Sequence, residues 1–332
     1  MKIAFFEIEK WEERLFRKKL KGHKLLFFNE TLNLTNVSKI KDFDIISTFI
    51  YSKIDKKILS KLPKLKMIVT RSTGYDHINM AETRKRKITI CNVPSYGENT
   101  VAEHAFALIL ALSRKVHKSY VRIQKGDYSI KGLKGFDLMD KTIGVIGAGK
   151  IGLHVIRIAK GFGMNVLAYD MYPNHFLAEV MGFKYADLNE VLKKSDIISL
   201  HIPYTKQTNH LINSKTINLM KKGVIIINTS RGGVVDTKAL LNGLNSKKIG
   251  GAGLDVIEGE KLIKEEKQFL HKAKYSETKK ILETDYKLLS KDNVVFTPHI
   301  AFYSQEALER ILDTTVDCIL KFIDKKPVCV VK

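Results

Sequence analysis

The chain has 332 residues, 44% hydrophobic and 28% charged, the balance of an ordinary globular protein long enough to divide into two domains. Its 57 basic residues against 35 acidic ones leave a net charge of +22, but the lysines are spread along the whole length without a basic, aromatic-interleaved helix or a nucleic-acid module, so no nucleic-acid partner is expected. Three cysteines, Cys91, Cys318 and Cys329, are odd in number and lack the spacing of a disulfide framework or a zinc site, which points to a reducing, cytoplasmic setting and to no bound metal. From the N-terminus, the runs "KIAFFEI", "KLLFFN", "DIISTFI", "KMIVTRS" and "ITICNV" alternate with polar, helix-compatible stretches through the first hundred residues. Glu7 and Glu9 interrupt the opening run too early for a secretory signal. "NTVAEHAFALILALSRKVHKSY" predicts one long helix over Asn99 to Tyr120, with Asn99 or Thr100 as its cap and Glu103 in its first turn. Its apolar stretch, Ala105 to Leu112, is far short of the roughly 20 residues of a membrane span. A second set of strands follows: "TIGVIG", "NVLAYD", "DIISLHIP", "VIIINTS", "GAGLDVIE" and "NVVFTPH". Each is too continuously apolar for a one-sided sheet, so both halves are expected to be α/β domains with parallel sheets covered by helices. The lysine-rich stretch Lys261 to Lys291 reads as a surface excursion.

The sharpest motif is "VIGAGKIG", Val145 to Gly152, lying between the strand "TIGVIG" and a helix beginning "KIG". In that context Gly147 suits a tight turn, Gly149 lets backbone approach a pyrophosphate, and Gly152 allows close helix–strand packing. The next strand ends at Asp170, where a carboxylate can accept hydrogen bonds from a ribose and repel a 2′-phosphate. NAD is therefore expected rather than NADP. Later strand ends deliver Arg231 in "NTSRGGVVD", Asp255 and Glu260 in "GLDVIEGE", and His299 in "TPHIAFYS". A lone histidine is more often a packed or hydrogen-bonded residue than a catalyst. Its place beside a guanidinium and carboxylates at ligand-facing strand ends shifts the balance towards chemistry.

These motifs, with "RSTGYDHIN", "VPSYGENTVAEHA" and "SLHIPYTKQTNHLIN", resemble the D-isomer-specific 2-hydroxyacid dehydrogenases over essentially the whole chain, and within them the D-lactate dehydrogenase branch most. The resemblance implies two doubly wound parallel-sheet domains with the active site in the cleft. A discontinuous, flavodoxin-like substrate domain would span 1–99 and 300–332, and a Rossmann NAD-binding domain 100–299. It implies a homodimer using the coenzyme domain and its neighbouring long helix. It assigns catalysis to Arg231, Glu260 and His299. NAD contacts would come from Gly147, Gly149, Lys150, Ile151, Gly152, Asp170, Ile202, Pro203, Thr208, Thr229, Ser230, Arg231 and Asp255. A substrate carboxylate would meet backbone amides from Thr73 through Gly74 to Tyr75, with Arg231, Tyr96 and Phe302 lining the pocket.

Reduction of a 2-oxo acid needs a hydride at the carbonyl carbon and a proton for the developing alkoxide. His299 would supply the proton, Glu260 would orient its ring, and the planar donor fork of Arg231 would hold the substrate carboxylate. His104 reads as a core or junction residue, and His201 as only indirectly placed. NADH-dependent conversion of pyruvate to D-lactate is the first expectation. Hydroxyisocaproate, or hydroxypyruvate and glyoxylate, are alternative substrate types, and a non-catalytic NAD-sensing interaction protein is an alternative of another class.

Overall fold

The computed structural model describes residues 1–258 and 276–331, the side chains of 276–282 excepted. Two compact units emerge: Met1–Gly97 with Ser304–Lys332, and Glu98–Tyr303.

The first unit begins with β1 (Lys2–Phe5), α1 (Lys10–Lys19), β2 (Lys24–Phe27), β3 (Ile45–Thr48), α2 (Lys56–Ser60), β4 (Met67–Thr70), α3 (Met80–Lys85) and β5 (Thr89–Cys91). The strands form one parallel sheet in the order β2-β1-β3-β4-β5, the flavodoxin-like arrangement. Because side chains alternate across a strand, each strand feeds two cores. Ile3, Phe5, Ile45, Met67 and Val69 join Phe16 and Leu20 of the α1 side, while Ala4, Ile46, Ile68 and Ile90 join Ile58 and Leu59 of α2. Polar caps start the short helices: Asp55 accepts the Ile58 amide and Asn79 accepts the Glu82 amide.

The second unit contains α4 (Glu98–Arg114), α5 (Val116–Gln124), β6 (Thr142–Ile146), α6 (Lys150–Gly161), β7 (Asn165–Tyr169), α7 (His175–Met181), β8 (Lys184–Tyr185), α8 (Leu188–Lys194), β9 (Ile197–Leu200), α9 (Ser214–Leu219), β10 (Val224–Asn228), α10 (Thr237–Asn245), β11 (Ile249–Leu254), α11 (Ser276–Leu289) and β12 (Val294–Phe296). The chain then returns to the first unit as α12 (Gln305–Ile323), whose Leu312, Val316 and Ile319 enter the core holding Ile3 and Phe5. The second sheet is parallel throughout, in the order β12-β11-β10-β9-β6-β7-β8. Counted from β6 this is the dinucleotide-binding order, and its direction reverses between β6 and β9. Alternate residues again serve both faces. Ile143, Val145 and Ile227 pack with Ala105, Leu108 and Leu112 of α4 and Val155 and Ile156 of α6, whereas Ile146, Ile198 and Ile226 pack with Leu192, Ile217 and Leu240.

Two expectations are corrected. The helix expected over Asn99 to Tyr120 starts at Glu98, so Asn99 and Thr100 lie inside its first turn, and it breaks at Lys115, which is left-handed at φ 56°. The break is satisfied from outside the helix: the Phe136 amide donates to the Ser113 carbonyl at 3.0 Å, and the His117 ring meets the Ala111 carbonyl at 3.0 Å. Of the lysine-rich stretch 261–291, the part through 275 lies outside the described residues. The remainder is no mere surface excursion, since Leu288 joins a core and Asp285 is fully buried. Among the described residues no helix is long and apolar enough to cross a membrane, and no cluster of His, Cys, Asp and Glu is arranged to hold a metal.

Candidate active site

At the β6–α6 turn, Gly147 takes φ +95°, a conformation that suits glycine alone among ordinary residues. A Cβ on Gly152 would lie 2.0 Å from the Gly147 carbonyl oxygen, whereas one on Gly149 would meet open space. The turn is thus closed on its inner side and open on its outer side. Gly149 caps α6 without a side-chain hydrogen bond, so the first helical amides, including those of Lys150 and Ile151, face an anion site unassisted by a capping oxygen. Asp170, one residue past β7, ties this turn down: one carboxylate oxygen accepts the Ala148 amide at 2.7 Å and the other the Tyr172 amide at 2.9 Å. Each oxygen keeps a lone pair for another donor.

Across the switch point, the β9 end leads to His201, Ile202 and Pro203. His201 meets the Ser199 hydroxyl at 2.7 Å, and burial holds its pKa down to about 4, so it is neutral at physiological pH. Thr208 folds the following loop by donating its hydroxyl to the Pro203 carbonyl at 2.7 Å and accepting the Thr205 amide at 2.7 Å.

The ends of β10, β11 and β12 are linked in one ladder. Asn228, 1% exposed, accepts the Ser230 amide and hydroxyl at 3.0 and 2.8 Å and donates to the Arg231 carbonyl at 3.0 Å. Its own carbonyl accepts the Asp255 amide at 2.9 Å, and the Asp255 carbonyl accepts the His299 amide at 3.0 Å. Arg231 and His299, far apart in sequence, therefore follow β10 and β12, the two strands that flank β11. The Arg231 guanidinium makes one hydrogen bond among the described residues, to the Ser230 carbonyl at 2.8 Å, leaving donors for an anion. Thr229 contributes a buried hydroxyl with no partner among those residues. Glu260 lies outside the described residues. Asn228 was missed by sequence reasoning; its only signal was a polar residue closing the apolar run "VIIIN".

In the other unit, "STGY" follows β4. The Thr73 hydroxyl donates to the Val93 carbonyl at 3.0 Å and Asn92 donates to the Thr73 carbonyl at 2.8 Å, which fixes the loop through its oxygens. The amides of Thr73, Gly74 and Tyr75 donate to no group among the described residues, which leaves three consecutive donors for an acceptor. Tyr96 in this unit uses its carbonyl to accept Arg310 Nε at 2.6 Å. Phe302, in the second unit, packs edge-on against Tyr303, centroids 5.8 Å apart.

A glycine turn at a switch point, an uncapped helix start, an acidic next strand end and, just past β10, a buried hydroxyl with no partner among the described residues all fit a dinucleotide. They define a dinucleotide-binding α/β protein. Residues 106–301 match the NAD-binding domain of the D-isomer specific 2-hydroxyacid dehydrogenases; the chain belongs to that family, and its coenzyme is NAD. A 2-hydroxyacid dehydrogenase homolog of Schizosaccharomyces pombe is 39% identical, with 95% of this chain and 94% of the relative covered. The glyoxylate reductase of Pyrococcus furiosus is 36% identical, with 96% and 86% covered. The solved structure of D-lactate dehydrogenase from Aquifex aeolicus, complexed with NAD and lactic acid, matches with a TM-score of 0.87 at 38% identity, covering 98% of this chain and 96% of that one.

Proposed function

We propose that the chain is a D-lactate dehydrogenase, converting pyruvate and NADH to D-lactate and NAD reversibly, and that His299, Arg231 and Glu260 carry the chemistry. The observation behind this reading is the Asn228–Asp255–His299 ladder, which ties the backbones of Arg231 and His299 to the ends of the two strands flanking β11 in an NAD-binding sheet. The bound coenzyme supplies the hydride. Lys150 and Ile151 amides would hold its pyrophosphate, Asp170 its ribose, and Ile202, Pro203, Thr208, Thr229, Ser230 and Asp255 the remainder. Arg231 anchors the substrate carboxylate and polarises the neighbouring carbonyl, since its planar fork stays charged throughout. His299 donates a proton to the alkoxide oxygen as it forms and takes one back in the reverse direction. Glu260 orients the imidazole. The amides of Thr73, Gly74 and Tyr75 supply a second hold on the carboxylate, and Tyr96 and Phe302 bound the side-chain pocket. These assignments divide the chain into a substrate domain, 1–99 with 300–332, and a coenzyme domain, 100–299.

Pyruvate is favoured by the likeness to an enzyme solved with lactic acid and by the long stretch between Glu260 and His299 followed by "AFY". Likeness to a glyoxylate reductase supports glyoxylate or hydroxypyruvate as the second reading. A panel of pyruvate, glyoxylate, hydroxypyruvate and 2-oxoisocaproate with NADH separates them: kcat/KM should be highest for pyruvate, and a clear preference for another acid would displace the lactate assignment while leaving the chemistry intact. The same reading makes the enzyme a cytoplasmic homodimer. Three free cysteines support the compartment. The dimer is supported by α5, none of whose residues is buried and which leaves Val116, Tyr120, Val121 and Ile123 exposed, followed by Tyr128 and Ile130. Apolar surface of that extent calls for a partner, and a second copy is the occupant proposed.

A further inference from the structure

Asp255 has only 1% of its surface exposed, and its carboxylate is bound by the loop that carries His299. One oxygen accepts the Thr297 hydroxyl at 2.6 Å and the Ile300 amide at 2.9 Å; the other accepts the Ala301 amide at 2.9 Å. Its carbonyl accepts the His299 amide at 3.0 Å, an amide that also turns back to the Thr297 carbonyl at 2.9 Å. Asp255 therefore grips the chain on both sides of His299. The grip matters because His299 is left-handed, φ +60°, a conformation that is strained for a non-glycine residue and persists only where its surroundings enforce it.

The polarity of this network can be read from proton counting. A threonine hydroxyl has one proton, and an ionised carboxylate only accepts. The Thr297 proton thus goes to Asp255, and the 2.9 Å contact between Thr297 Oγ1 and His104 Nε2 must run from the imidazole to the hydroxyl. His104 is held with a proton on Nε2, its ring 3.6 Å from Asp255 Oδ1. Burial lowers its pKa and the Asp255 carboxylate opposes that shift. The donor sits on α4, 193 residues before Thr297.

We propose that His104 and Thr297 are positioning residues for His299: the directed chain His104 to Thr297 to Asp255 holds the left-handed loop that presents the imidazole to substrate. Asp255 then serves the loop as well as any contact with coenzyme. The inference rests on His299 being the acid–base group.

The test pairs variants that delete a donor with variants that keep it. Thr297→Val removes the hydroxyl at constant shape and Thr297→Ser retains it; His104→Leu removes the donor and His104→Gln returns an N–H near the same place. With pyruvate, or whichever panel acid turns over fastest, Thr297→Val and His104→Leu should lower kcat by roughly 10- to 100-fold, the scale of a small misplacement of a reacting group. NADH affinity, followed by fluorescence titration, should stay within about twofold, because the loss belongs to the chemical step. The serine and glutamine variants should recover most of the turnover, and the double deletion should be little worse than Thr297→Val alone because both act through one chain. Wild-type kcat in both deletion variants would overturn the proposal, as would serine and glutamine variants no better than their deletions. If Thr297→Val fails to fold, the His104 pair decides, since it leaves the three donors to the Asp255 carboxylate in place. His299→Ala in the same assay separates the two levels: full turnover there removes the acid–base reading itself, whereas loss there with normal deletion variants removes only the positioning role.

Discussion

Asp170 is the carboxylate proposed to select the coenzyme. Its oxygens accept the Ala148 and Tyr172 amides, so its direction is fixed before any coenzyme arrives. In its proposed role a ribose bearing hydroxyls would gain charge-assisted hydrogen bonds from it, whereas a 2′-phosphate would meet a second negative charge. NADH should accordingly be preferred strongly over NADPH. Deleting hydrogen bonds to a charged group worth roughly 1.5–3 kcal/mol should cut that preference by roughly 10- to 100-fold in Asp170→Ala, measured as the ratio of kcat/KM values. Its NADH affinity should fall too, because the glycine turn loses a tie. An unchanged ratio would mean that another residue selects the coenzyme. Asp170 and Gly147 were legible in the sequence because their roles are local: strand, turn, helix and next strand lie within a few tens of residues. His104 and Thr297 were not, because a hydrogen bond across 193 residues leaves no mark on either neighbourhood. His299 could be read as a candidate, but its left-handed backbone and the Asp255 grip could not.

Among the elements, the runs that were continuously apolar became parallel strands because burial on both faces imposes that composition. The two-residue β8 at the sheet edge, Lys184–Tyr185, carries too little pattern to be seen. The long helix failed at Lys115, where no proline or glycine signals a break and the last carbonyls are satisfied by Phe136 and His117. α11 concealed a larger surprise. Its Asp285 is fully buried, neither carboxylate oxygen has a partner among the described residues, and burial, assisted by the Glu258 carboxylate, pushes its pKa up to about 7. Glu258 is itself held by the Thr237 amide at 3.0 Å and by His210 at 2.5 Å. A carboxyl with a raised folded-state pKa binds its proton more tightly folded than unfolded, so stability falls as pH rises from about 4 through about 7. Asp285→Asn mimics the neutral form at all pH values. Its unfolding free energy relative to wild type should therefore improve by on the order of 2 kcal/mol between about pH 5.5 and about pH 8.5, measured by denaturant titration at both. A pH-independent difference would show that Asp285 does not titrate in that window.

At the scale of the molecule there are two parallel sheets of different strand order: one is followed after β4 by amides with no acceptor among the described residues, the other carries the glycine turn and the Arg231–His299 ladder. The +22 charge favours the approach of anionic 2-oxo acids without specifying which one. The proposed homodimer would cover the exposed apolar side chains of α5. Sedimentation velocity should give twice the 37.8 kDa chain mass, and Tyr120→Asp with Val121→Lys should shift the protein towards monomer; a wild-type monomer would leave that surface to another partner. The enzyme's central property is the hand of its product, because the family's defining chemistry is addition of hydride to one face of a 2-oxo acid. Chiral analysis of the lactate formed from pyruvate and NADH tests this directly. D-lactate as the main product is the predicted result, and L-lactate as the main product would contradict it.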